Sequence, residues 1–247
     1  MSSRLHVARW ASVLLDAVFP SDCEACERPL PSGHSSCLCM ACRDAMAPLR
    51  GPLCDVCGVP LPSHQAGASC PGCLRHPPAF TCARAAALYL PAATGLNPLA
   101  AAVGGLKYRR RRRLAEALGA LLAERYPFGA DALLVPVPLH LRRLRARGFN
   151  QALLLARVLG RRRALSVAPR ALARIRATEA QTGLPAADRK RNLRDAFAVR
   201  SPAAVDGRPV VLVDDVLTTG ATADACARVL LAAGASRVDV YTAGRAP

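Results

Sequence analysis

The sequence has little aromatic surface and almost no lysine. Phe, Trp and Tyr make up 4% of its 247 residues, and lysine occurs only at Lys107 and Lys190. So few rings make base-stacking platforms scarce, and any contact with nucleic acid would be largely electrostatic. No G-x4-G-K-[ST] occurs, which excludes a P-loop, and no G-x-G-x-x-G occurs, so a dinucleotide site has no support. A transmembrane helix is also missing. Residues 85–106 carry no charge, but they are Ala/Gly-rich and broken by Pro91, Gly95 and Pro98. No export signal is expected either. Arg4 and Arg9 precede an apolar run from Trp10 to Val18, but Asp16 interrupts it and no small-residue cleavage site follows. Residues 1–20 read instead as an amphipathic helix that packs on the rest of the protein. The expected location is the cytoplasm, where paired cysteines bind metal more often than they form disulfides.

What is present divides in two. The chain carries 34 Lys+Arg against 17 Asp+Glu, a net charge of +17, with 52% apolar residues, which excludes a disordered, purely solvating chain. Residues 1–83 hold six basic and six acidic side chains, so the whole excess lies in 84–247, while ten of the 11 cysteines lie before residue 84. Two composition regimes imply two domains, a cysteine module over 21–83 and a basic domain over 84–247. A basic domain favours anionic partners, either phosphorylated metabolites or nucleic acid. Heavy Ala, Arg and Pro usage matches a GC-rich coding bias, so the choice of Arg over Lys carries no functional signal by itself.

The cysteines fall as Cys23-x2-Cys26, Cys39-x2-Cys42, Cys54-x2-Cys57 and Cys70-x2-Cys73, and the second set repeats the first at an offset of 31. Pro29-Leu30-Pro31 recurs as Pro60-Leu61-Pro62 at the same offset. Each C-x2-C turn presents two thiolates to one cation, and two turns complete a tetrahedron. Eight thiolates suit two structural Zn²⁺ ions with no open coordination position. Spacing admits ligation within each repeat, the simpler topology, as well as interleaved ligation. Cys37 competes with Cys39 on proximity, but the C-x2-C turn favours Cys39. Cys226 reads as core.

Val210-Val211-Leu212-Val213 reads as a buried parallel strand. Asp214 and Asp215 follow at its carboxyl end. The hydroxyl-rich run Thr218-Thr219-Gly220-Ala221-Thr222 then opens a helix from about Ala221 to Ala233. Backbone amides at such a turn cradle a phosphate, with Gly220 permitting close approach. The two carboxylates would repel a bare phosphate, but they make sense as acceptors from sugar hydroxyls on the same ligand. The expected ligand is therefore a sugar phosphate.

The other elements alternate. Strands are expected over Ala85–Leu90, Ala132–Val137, Leu165–Ala173 and Val238–Thr242. Helices are expected over Leu96–Tyr126, with a break near Gly104-Gly105, and over Asn150–Gly160, opened by Gly148. Residues 175–195 read as a long polar loop able to act as a lid. This order predicts an α/β domain: a parallel sheet with helices on both faces and the ligand at the carboxyl ends of the strands. Cations for a second anionic group come from Leu106-Lys107-Tyr108-Arg109, from Arg142-Arg143 through Arg147-Gly148-Phe149-Asn150-Gln151, and from Arg174 through Asn192. Arg109–Arg113 otherwise reads as a solvated helix face, and Arg161–Arg163 as the polar end of a helix.

The Asp214 to Thr222 segment resembles the signature of type I phosphoribosyltransferases, which bind 5-phosphoribosyl 1-diphosphate (PRPP). That resemblance implies a PRPP site formed by Asp214, Asp215, Val216, Leu217, Thr218, Thr219, Gly220, Ala221 and Thr222. The acids would lie on the ribose 2- and 3-hydroxyls and the threonine turn on the 5-phosphate. Candidates for the diphosphate and the loop around it are Pro138, Leu139, His140, Arg143, Arg147, Lys107, Arg189 and Arg191, with Mg²⁺ accompanying PRPP. No catalytic residue is identified. With the eight cysteines, Leu106-Lys107-Tyr108, Pro136-Val137-Pro138 and Arg147–Gln151, nearly the whole chain resembles the ComF family, in which a double zinc ribbon precedes a phosphoribosyltransferase-like domain. The resemblance implies a link to DNA uptake in competent bacteria and to proteins of the competence machinery. It is compatible with two functions. One is transfer of a ribosyl 5-phosphate to a nitrogen nucleophile. The other is non-catalytic handling of single-stranded DNA, with the PRPP pocket regulatory or vestigial.

Overall fold

The computed structural model describes residues 21–34, 36–63, 67–90, 97–176 and 195–247. The helix expected over 1–20 and the lid residues 177–194, which include Arg189 and Arg191, lie outside them. The ribbon module contributes two one-turn helices, α1 (Met40–Asp44) and α2 (Pro71–Arg75). The second domain then runs β1 (Cys82–Leu88), α3 (Pro98–Tyr108), α4 (Leu114–Glu124), β2 (Leu133–Pro136), α5 (Leu141–Arg147), α6 (Gln151–Arg163), β3 (Leu172–Arg174), β4 (Phe197–Val199), α7 (Pro202–Val205), β5 (Pro209–Leu217), α8 (Ala221–Ala232) and β6 (Arg237–Arg245). β1 begins at Cys82, so a domain division at 83/84 falls inside a strand.

Strands β1-β6-β5-β2, in that order, form one parallel sheet, and β3 and β4 form a separate antiparallel pair. Alternation along each strand sorts its side chains between two cores. On one face Val211, Val213, Leu134, Tyr241 and Ala243 pack with α3, α4, α6 and residues of the first ribbon. On the other, Val210, Leu212, Leu133, Val135, Val238 and Val240 pack with α8 and the β3–β4 pair, with Val56 and Phe80 of the second ribbon region alongside. The expected parallel sheet, covered by helices on both faces, is therefore present. No helix among the described residues is long and apolar enough to cross a membrane.

Several local expectations are corrected. The 96–126 helix breaks at Arg109–Arg113 rather than at the glycines. Five consecutive guanidiniums repel along a helix, and Arg110 turns left-handed at φ 54°. Gly105 serves close approach instead: a Cβ there would lie 2.7 Å from the Leu114 side chain. Arg109–Arg113 is a connection that is largely solvated, as expected of the run, although several of its guanidiniums also make contacts. Arg110 donates to the Ala146 carbonyl, Arg111 to the Glu24 carbonyl, and Arg112 lies over the Phe149 ring. The strand expected over 165–173 divides at a Pro169-Arg170 turn. Val167 makes one parallel bridge with Leu134, and Leu172–Arg174 pairs antiparallel with β4. Gly148 does not open α6. It closes α5 in the left-handed conformation, and Asn150 caps α6 by accepting from the Ala152 amide. β5 continues past Asp214 and Asp215 to Leu217, and β6 continues to Arg245, because the two strands stay in register to Leu217↔Arg245.

Candidate functional site

Each ribbon is built by the same hydrogen bonds 31 residues apart. Cys23 N donates to Arg28 O as Cys54 N does to Val59 O, and Leu30 N donates to Ser21 O as Leu61 N does to Pro52 O. The turns bring four sulfurs together within a repeat: Cys23, Cys26, Cys39 and Cys42 in one, Cys54, Cys57, Cys70 and Cys73 in the other. Within each group all sulfurs lie within 4.8 Å of one another. Ligation is therefore sequential, not interleaved, and Cys39 rather than Cys37 completes the first set. The separations Cys26–Cys39 (3.8 Å) and Cys57–Cys70 (3.7 Å) match the edge of about 3.8 Å expected for a tetrahedron with 2.3 Å zinc–sulfur bonds. Backbone amides of Cys39 and Cys70 donate to the Cys23 and Cys54 sulfurs, as thiolate ligands require. The residues fit two structural zinc ions.

A cavity of about 810 Å³ opens at the carboxyl ends of β2 and β5. Asp214 through Thr222 all line it, so the segment singled out from sequence faces a cavity throughout. The conformation of its loop is set from behind. The Arg245 guanidinium donates to the Leu217 carbonyl at 3.2 Å and to the Thr218 carbonyl at 2.9 Å. In a trans peptide the N–H points opposite to the C=O, so the Thr218 and Thr219 amides are turned away from Arg245. Gly220 takes φ 77° at the start of α8, against Phe80. Among the described residues no backbone carbonyl takes the Thr218, Thr219 or Gly220 amide hydrogen outside the regular elements.

The two acids differ. Being consecutive in a strand, they point to opposite faces. Asp215 is 3% exposed and meets Lys107 from α3, with Nζ–Oδ1 at 2.7 Å. Its Oδ2 is buried with no hydrogen-bond partner among the described residues. Burial alone would pull the Lys107 ammonium down, but the facing Asp215 carboxylate more than offsets this and holds it above its ordinary value. Asp214 is more accessible and accepts from the Asp215 amide at 2.8 Å. Burial, then the neighbouring Asp215 charge, raises its carboxyl to about 7.

Of the other sequence candidates, Lys107, Pro138, Leu139, Arg143 and Arg147 line the cavity, whereas His140 caps α5 through Nδ1. Lys107 is already committed to Asp215, so it does not stand as a free cation for a diphosphate. Tyr108, Gln151 and Arg174 belong to the basic segments named from sequence, and they too line the cavity. Tyr89, Arg110 and Thr242 also line it and escaped the sequence reading. Arg110 was hidden by the helical reading of its arginine run, and Thr242 by its place in an apolar strand. Burial, then the neighbouring Arg143 guanidinium, lowers the Arg174 guanidinium from its ordinary value, so two cations crowd one wall.

Comparison with known proteins identifies the ribbon module and relatives of the chain. A double zinc ribbon domain model matches residues 14–74. DNA utilization protein YhgH of Escherichia coli (strain K12) is 38% identical over 229 residues, covering 90% of this chain and 96% of that protein. Competence protein F of Haemophilus influenzae is 38% identical over 114 residues, 46% of this chain and 50% of that protein. Among solved structures, a glutamine PRPP amidotransferase from B. subtilis, complexed with ADP and GMP, superposes with a TM-score of 0.36 at 19% identity. That match covers 59% of this chain and only 27% of the amidotransferase. With a relative 38% identical along almost its whole length, a competence protein F among its relatives and a double zinc ribbon ahead of the parallel-sheet domain, this chain belongs to the ComF family.

Proposed function

We propose that the cavity binds PRPP with Mg²⁺ and that the protein is a phosphoribosyltransferase-like component of DNA uptake. The observation that carries this reading is the loop from Thr218 to Thr222, whose first amides are turned away from Arg245 while all its residues line the cavity. A phosphate there is held by backbone amides and threonine hydroxyls. Asp214 then accepts from a ribose hydroxyl, and Asp215 acts through Lys107 more than by direct contact. Arg143, Arg147 and Arg174 stand on the wall where a diphosphate needs cations. Residues that hold the two anionic ends of such a ligand fix its anomeric carbon in place and stabilise the leaving charge. In transfer to a nitrogen nucleophile, diphosphate departs with the electrons of the C1–O bond. The nitrogen lone pair forms the new bond and the nitrogen sheds a proton. No residue is assigned as the base. Isothermal titration with PRPP, with and without Mg²⁺, tests the reading. Asp214→Asn should weaken binding, and unchanged binding by Asp214→Asn/Asp215→Asn refutes the site.

One feature favours a second role in contacting single-stranded DNA. Tyr108 is 77% exposed at the cavity, with the Arg147 guanidinium 5.8 Å from its ring centroid and Arg110 nearby. This gives one stacking platform within a basic rim, where binding would fall steeply with salt. A gel-shift salt series decides it: no retardation at low salt removes the role.

A further inference from the structure

Arg245 is a charged side chain only 7% exposed. Its acceptors are four carbonyl oxygens and one sulfur. Nε donates to Cys57 O at 3.0 Å, Nη1 to Leu217 O, Thr218 O and Ala246 O, and Nη2 to the Cys57 sulfur at 3.8 Å. Carbonyl dipoles satisfy its hydrogens but carry no net charge, and a buried cation without counter-charge is costly. Four thiolates around one divalent zinc carry a net −2, and Cys57 belongs to such a group. The same guanidinium therefore has its counter-charge in the second tetrad and its loop contacts on the two carbonyls that orient the Thr218 and Thr219 amides.

The first tetrad offers a built-in control. Its position equivalent to Cys57 is Cys26, and among the described residues no guanidinium donates to the Cys26 sulfur. Arg111, Arg109 and Arg125 meet the first ribbon at the Glu24 carbonyl, the Glu27 carboxylate and the Met46 carbonyl, all on the α3–α4 side.

We propose that Arg245 is a positioning residue coupling the second cysteine tetrad to the phosphate-binding loop, so that metal at Cys54, Cys57, Cys70 and Cys73 and an anion at Thr218–Thr222 strengthen each other's binding. The proposal rests on the phosphate reading given above. Coupling of binding free energies is reciprocal, so it is measurable from either end. With the tetrad loaded, the guanidinium is drawn to Cys57 and both loop carbonyls stay clamped. With the tetrad emptied, its sulfurs take up protons as the ion leaves, the net −2 is lost and the sulfurs are no longer held in place, so the peptide planes of the loop are freer to turn. The first tetrad has no such path to the loop.

The test uses full-length, zinc-loaded protein. Mg-PRPP is titrated calorimetrically into the wild type, Arg245→Lys and Arg245→Gln. In parallel, each protein is challenged with a chelator and pulsed with N-ethylmaleimide, and alkylation is read peptide by peptide by mass spectrometry. Mg-PRPP should slow alkylation of Cys57 and Cys73 in the wild type while leaving Cys26 and Cys42 unchanged. Arg245→Gln should weaken PRPP about tenfold or more and abolish that selective protection, with Arg245→Lys intermediate because it keeps the charge and loses the fork. First-tetrad alkylation at the wild-type rate certifies that the variants are folded, and the wild-type protection arm needs no variant at all. Equal protection of both tetrads, or wild-type affinity in Arg245→Gln, overturns the proposal while the PRPP reading stands. No PRPP binding by the wild type takes down that reading and the proposal with it.

Discussion

The two zinc ribbons are near copies in sequence and local bonding, yet they stand in different places. The first lies against helices: Cys23, Leu38, Cys42 and Met46 share a core with α3 and α4, and Arg43 pairs with Glu124. The second lies against the sheet edge and the loop. The Ala83 amide donates to Val56 O, Arg84 reaches the Cys54 and Asp55 carbonyls, and Arg245 reaches Cys57. Metal geometry fixes the module, and residues outside the ligand set decide what each copy supports. The first ribbon shares the face that carries Asp215 and Lys107, while the second region joins the face toward which Asp214 points.

The largest effect that tests this contrast is loss of metal. A structural zinc contributes about 10–16 kcal/mol to folding a small module. Protein as purified should carry two zinc per chain by elemental analysis, and one per chain would break the equivalence of the ribbons. Cys26→Ser and Cys57→Ser should each lower the zinc content to about one. Both should reduce thermal stability, but only Cys57→Ser should also reduce PRPP affinity.

Next in size is the ion pair beneath the first ribbon's face. Lys107→Met leaves Asp215 buried without its cation, which should destabilise the fold by about 3–5 kcal/mol in urea unfolding. Lys107→Met/Asp215→Leu should recover most of that loss. If the single variant is neutral, α3 does not brace the sheet as described.

How far this arrangement could be read from sequence depends on the element. The cysteine tetrads were fully legible in their ligands, because spacing and duplication encode the turns. Their partition into two separate centres was not, because it depends on three-dimensional proximity. The parallel sheet and the cavity segment were legible from one apolar run followed by acids and hydroxyls. The different fates of Asp214 and Asp215 were legible in principle, since alternation along a strand sends neighbours to opposite faces. Taking the strand to end at Val213 concealed it. Arg245 was invisible: nothing local distinguishes it from the other arginines, and its partners Cys57 and Leu217 are distant in sequence. Arg110 was misread because helical continuity looked cheaper than a left-handed break among like charges.

A smaller effect separates the ribbons at a single equivalent position. Glu27 and Gly58 lie 31 apart, and both take left-handed φ, 60° and 66°. Glu27 faces solvent and meets Arg109 at 3.3 Å. A Cβ on Gly58 would sit 2.5 Å from the Ala83 carbonyl oxygen. Gly58→Ala should therefore cost about 2–3 kcal/mol, from left-handed strain plus overpacking against backbone. Glu27→Gly should change stability by less than about 1 kcal/mol, because relief of strain offsets loss of an exposed pair. Equal effects in denaturant unfolding would mean that the second ribbon does not press on β1.

The smallest expected effect concerns Asp214, on the second ribbon's face. Its carboxyl is raised to about 7, so below that pH the unliganded site holds the acid in its neutral form. A ribose hydroxyl donates better to the carboxylate, so PRPP affinity should climb as pH rises through 7 and level off above it. Below the midpoint it should lose up to about tenfold per pH unit. Stability of the unliganded protein runs the other way. A carboxyl titrating higher in the fold than in the unfolded chain binds more protons when folded, so its contribution falls as pH rises from the ordinary carboxylate range toward 7. Asp214→Asn should remove both slopes, and the difference between wild type and variant cancels the ionisation of the ligand's own phosphates. If affinity in the two proteins follows the same pH curve, Asp214 does not meet the ribose, and the sugar must lie nearer the first ribbon's face, toward Lys107 and Asp215.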